Sequence, residues 1–184
     1  MLTIKDMTQL GKLVALHHGW AAAKAFKAYQ MDEADRAVLA RCALDLLGLF
    51  PAGLFPANSQ PAGLMSAALA VALERKLSAP VQLVEGLLAV EGVPVLGAHR
   101  WVMMGGVIVD LALFRIAYAE DAPALLTKYI DLNFGPDKGL FVAPWKKQGS
   151  AGLTYAPRAV LPESEVTALM GEAFALIKQA KAPE

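Results

Sequence analysis

The chain has 184 residues, of which 56% are hydrophobic and 18% charged, with seventeen basic and seventeen acidic side chains in balance. That composition can fill the core of a single domain spanning 1–184, and it excludes a disordered chain. Zero formal net charge and a pI near 6.8 exclude a nucleic-acid binder that works by neutralising phosphates, and one cysteine with three histidines leaves no internal disulfide and too few ligands for an ordinary structural zinc cluster.

The first twenty residues lack a basic start followed by a long apolar run, so no signal peptide is expected and the cytoplasm is the default location. The greasiest region, 37–73, is interrupted by Arg41, Asp45, Pro51, Pro56, Asn58-Ser59-Gln60 and Pro61. It falls short of the roughly 20 clean apolar residues that a membrane-spanning helix needs. A mean hydropathy of +0.43 is therefore expected to reflect a buried core, and it leaves room for a homodimer interface. No Walker loop, GxGxxG, HExxH or CxxC occurs, so no cofactor or metal is expected.

Residues 6–29 carry a helical pattern, with Met7, Leu10, Leu13, Val14 and His17 at three- and four-residue steps and Gly11 and Gly19 as weak points. The adjacent His17 and His18 point about 100° apart on a helix and cannot share a metal. A second helix is predicted over 32–50, with Asp32, Glu33 and Asp35 at its positive end and Leu39, Cys42, Leu46, Leu49 and Phe50 as its apolar stripe. Pro51–Gly63 reads as a loop. A third helix, from about Pro61 or Gly63 to Leu77, is small and apolar enough to be buried on most sides. Strands are predicted over 81–90, 99–104 and 107–113, a short helix over 122–132, further strands over 140–142 and 153–155, and a closing helix from Pro162 to about Ala180. That last helix should turn Val166, Leu169, Met170, Phe174 and Ile177 inward. Helices first, then antiparallel strands, then a helix give an α+β fold, with the N-terminal helices on a small antiparallel sheet.

Gly105-Gly106 is a two-residue hairpin signal. It sets Met104 opposite Val107, Met103 opposite Ile108, Val102 opposite Val109 and Trp101 opposite Asp110. His99, Trp101 and Asp110 then lie on one face, with His99 diagonal to Asp110. A carboxylate on one imidazole nitrogen fixes the tautomer and leaves the other nitrogen for a nucleophile or a ligand. The plainer alternative is a hydrogen-bonded sheet histidine with a surface aspartate. Against it, Asp110 interrupts the apolar run VIVDLAL, where an unpaired carboxylate is costly.

The run HRWVMMGGVIVDLAL resembles the His-x-Trp, hairpin, Asp segment of transglutaminase-like and related papain-like cysteine enzymes, while GLMSAALAVALERK resembles the helix after their nucleophile and VQLVEGLL the intervening strand. The resemblance covers about 58–113. It implies a papain-like or transglutaminase-like core with His99 and Asp110 as the catalytic pair. It also implies a cysteine at the N-terminus of the central helix, made a thiolate by the helix end and the histidine. That position holds Leu64, or Leu54 in a looser alignment, and neither can do covalent chemistry. Asn58 or Gln60 would supply an oxyanion-hole donor, and Trp101 would line the cleft. The resemblance thus implies a pseudoenzyme that binds a peptide or amide in a residual cleft. The alternative is an active amide hydrolase or acyltransferase, with Cys42 or Ser59 as nucleophile. Cys42 sits on a core stripe, Ser59 is also a natural helix cap and Ser66 a small helix residue. Chance similarity in an unrelated α+β oligomerisation domain is the third reading.

Overall fold

A computed structural model describes residues 4–50, 60–145 and 151–181. Two helices, α1 (Met7–His18) and α2 (Trp20–Ala28), occupy the N-terminal helical region. Asp6 starts α1 by accepting the Gln9 N–H at 2.8 Å, the usual capping role of a short carboxylate. The break falls at Gly19, whose φ of +89° and ψ of 165° are open essentially only to glycine. Helix α3 (Glu33–Leu49) is capped in the same way by Asp32, and α4 (Gln60–Lys76) follows the undescribed loop.

The sheet has five antiparallel strands in the order β4-β3-β2-β1-β5: β1 (Val81–Val90), β2 (Val93–Met104), β3 (Val107–Asp110), β4 (Phe141–Pro144) and β5 (Leu153–Val160). Between β3 and β4 lie α5 (Leu113–Ala117) and α6 (Ala124–Asn133), and α7 (Glu163–Lys181) closes the chain. The β1–β2 turn uses Glu91 and Gly92, both at positive φ, which matches the twist of the hairpin strands.

Alternation along β2 divides the core into two layers. Trp101 and Met103 face a layer with Leu10, Phe26 and Ile130, drawn from α1, α2 and α6 with α5. Val102 and Met104 face the layer built from α3, α4 and α7, including Leu39, Leu69 and Ala173. The α+β expectation holds, and the helices cover both faces of the sheet: α1, α2, α5 and α6 lie on one, α3, α4 and α7 on the other. Helix α4 is buried on most sides, as its composition implies, because α3 and α7 flank it above the sheet. On α7 Leu169 and Ala173 are buried, Val166, Met170 and Ile177 pack half-buried against the same layer as expected, and Phe174 is 55% exposed rather than inward. It stands one residue, about 100°, round the helix from Ala173. No helix among the described residues is long and apolar enough to cross a membrane.

Candidate functional site around His99

The hairpin register is Val102 to Val109, Met103 to Ile108 and Met104 to Val107, as the two glycines require. Gly105 carries the turn at φ +56°, and a Cβ there would stand 2.9 Å from the Phe26 carbonyl oxygen. Strand β3 stops at Asp110, three residues short of the sequence expectation. The reason is Asp110 itself: its Oδ1 accepts the N–H groups of Ala112 and Leu113 at 3.0 and 3.1 Å, turning the chain out of the strand and into α5.

The other carboxylate oxygen completes the site. His99 Nε2 lies 2.5 Å from Asp110 Oδ2, and the Tyr155 hydroxyl donates to the same oxygen at 2.8 Å. Four donors thus meet one fully buried carboxylate, which is how a charge is held away from water. Burial, then the Asp110 charge, then the hydrogen bond to it push the Tyr155 hydroxyl well above its ordinary pKa, so this group is a donor throughout the neutral range. The bond from Nε2–H to Asp110 leaves Nδ1 as the acceptor of the neutral imidazole. Nδ1 makes no hydrogen bond among the described residues.

Tyr155 belongs to β5, three strands from β3 in the sheet order, with β2 and β1 between them. At about 4.8 Å per strand a flat sheet would hold them too far apart for this bond, so the sheet curls around the His99 face. The curl brings edge strand β4 toward edge strand β5: Phe141 stacks on Tyr155 at 5.7 Å, and Trp145 Nε1 donates to the Tyr155 carbonyl at 3.0 Å. Register shifts in β1 at Gly86 and Leu88 bend the strand. Gly86, opposite His99, lets the layers close, since a Cβ there would fall 2.1 Å from the Ala156 carbonyl oxygen and 2.8 Å from Trp101. Trp101 stacks on His99 at 5.9 Å and meets Tyr155 edge-on at 5.0 Å. Its Nε1–H is the one side-chain nitrogen or oxygen among the described residues that is both sealed from solvent and without a partner.

The structure therefore brings His99, Trp101 and Asp110 together, as the register predicts, and adds Tyr155. It does not bring Leu64 to them. Leu64 lies in the α3–α4–α7 layer, on the opposite face of the sheet, because α4 covers the side to which Arg100 and Val102 point. Ser66 donates to the Arg100 carbonyl at 2.9 Å, and Gly63 abuts the Arg100 side chain; Arg100 itself pairs with Glu85 at 2.8 Å. Cys42 is 2% exposed in that same layer and does not share a face with His99. Gln60 begins α4; its side chain, together with Leu54, Asn58 and Ser59, lies outside the described residues. His18 Nε2–H donates to the Leu161 carbonyl, 3.2 Å away, as a helix-edge residue. Among the described residues no group of three or more His, Cys, Asp or Glu side chains could hold a metal ion. Tyr155 was outside the sequence reading because nothing in local spacing links it to a carboxylate 45 residues earlier.

Compared with protein-family models, with curated proteins and with solved structures, the chain matches none.

Proposed function

We propose that this chain is a domain without acyl-enzyme chemistry that holds an amide or peptide group at the His99 face. On this reading it shares with papain-like and transglutaminase-like enzymes the His-x-Trp, hairpin, Asp segment and not their nucleophile helix. The supporting observation is a complementary pair of unfilled valences on two stacked rings: the His99 Nδ1 acceptor and the buried Trp101 Nε1–H donor. An N–H left dry and unpaired costs about 1–3 kcal/mol, which a carbonyl would offset once the His99 face opens to admit it. An amide carries both the carbonyl for Trp101 and an N–H for His99. The Asp110 bond fixes the imidazole tautomer, and the other three donors on that carboxylate hold it in place.

The test is a titration of isotope-labelled protein with a blocked dipeptide amide, followed by NMR at the Trp101 indole N–H and the His99 ring. The expected result is a saturable shift of both signals that is lost in Trp101→Phe. Unmoved signals up to the solubility limit of the peptide, or a covalent acyl adduct in place of reversible binding, would overturn the proposal.

A further inference from the structure

A second candidate site lies away from His99, where β1 extends beyond the end of β5. Strand β5 pairs with β1 only from Val84 onward, and beyond it a cavity of about 340 Å³ opens between α4, α7 and the last residue of α1. Glu74, Glu163, His18 and Gln82 line it, with Val71 and Leu161 among its apolar walls.

Gln82 is the informative residue. It is 7% exposed, and its side chain makes no hydrogen bond with any described residue. A glutamine amide carries two donors and an acceptor, and leaving them unsatisfied in the interior is expensive. Among the described residues only Trp101 Nε1 is both sealed from solvent and without a partner, so the unpartnered Gln82 amide atoms are not sealed. The amide of this nearly buried residue is therefore reached through the cavity that it lines.

The two carboxylates give that cavity a sign. Neither Glu74 nor Glu163 has an ion-pair partner among the described residues. Partial burial and the neighbouring Glu163 charge raise the Glu74 carboxyl above its ordinary pKa, with His18 acting in the opposite direction. The His18 ring adds a nitrogen already engaged at the Leu161 carbonyl. A metal ion does not fit this set, since no group of three or more His, Cys, Asp or Glu side chains among the described residues could hold one. Apolar walls, a free amide and two unpaired carboxylates instead match an organic cation, and the volume is at the small end of ligand pockets. We infer that this cavity binds a small organic cation, an ammonium or guanidinium on a short apolar chain, with its charge between Glu74 and Glu163 and its polar hydrogens shared with Gln82.

The experiment is calorimetric titration of the intact chain with butylguanidinium, butylammonium, n-butanol and butyrate. One-site binding of the two cations is expected, with none of the alcohol or the anion. The double substitution Glu74→Gln/Glu163→Gln should weaken cation binding by about tenfold or more, because it removes the charge complement and leaves the cavity shape. Gln82→Leu should weaken it without making the alcohol bind as tightly as the cations. Absence of saturable cation binding, equal affinity for n-butanol, or unchanged affinity in the double variant would each overturn the inference. None of these outcomes depends on the His99 face.

Discussion

At the scale of single residues the structure turns on Asp110, a carboxylate inside an apolar strand that ends the strand, starts a helix and anchors two side chains. Removing it strands His99 and Tyr155 without their acceptor. Asp110→Ala is expected to cost about 3–5 kcal/mol, the range for breaking a buried charged pair, measured by urea unfolding. Tyr155→Phe removes one charge-assisted hydrogen bond and should cost about 1.5–3 kcal/mol. The same tyrosine predicts a pH dependence. Its pKa is raised in the folded state, so its stabilisation is complete below the ordinary tyrosine range and is lost as pH climbs from that range toward the raised value. Tyr29, raised by burial and Asp35, and Tyr118, pushed to about 12 mainly by its hydrogen bond to Asp131, act in the same direction. Between neutral pH and about pH 11, Tyr155→Phe should therefore lose less stability than the parent chain; equal losses would contradict the assignment. That Asp110 needs a partner was legible in VIVDLAL, and His99 followed from the hairpin register. Tyr155 was not legible, because its reach depends on how the sheet curls.

Among the elements, two glycines carry different burdens. Gly86→Ala places a methyl group against the Ala156 carbonyl and Trp101. Because both obstacles are backbone or buried ring, a cost of about 3 kcal/mol or more is expected. Gly19→Ala meets nothing within 4 Å, so its cost is that of backbone strain alone, about 1–3 kcal/mol. Thermal unfolding of the two variants, with Gly86→Ala the lower, checks both. The strand 81–90 and the turn at Gly105 were readable because their signals are local. The first half of β2 was not. The strand was expected only from His99, yet it starts at Val93; β3 pairs only with Val102–Met104, so Pro94 lies where its missing N–H costs no second ladder bond. The third strand was read too long because side-chain capping by Asp110 overrides the β propensity of the residues after it.

For the whole molecule, the sheet separates two apolar layers that share few side chains. Phe26→Ala on one side and Leu69→Ala on the other each remove a fully buried side chain and should cost about 3–5 and 2–5 kcal/mol. Their combination should be additive to within about 0.5 kcal/mol, read from chemical denaturation of the two single variants and the double. The α+β class was legible in the order of helices and strands. Which helix covers which face was not, since periodicity shows that a helix has an apolar side and says nothing about the side of the sheet it meets. That distinction governs the functional reading, for it puts α4, with Leu64, and α3, with Cys42, behind the sheet from His99. The most direct measurement is the intact mass of the native chain after incubation with an activated acyl ester, with His99→Ala alongside. The account predicts that both retain their unmodified mass; a stoichiometric acyl adduct on the parent chain that His99→Ala abolishes would contradict it.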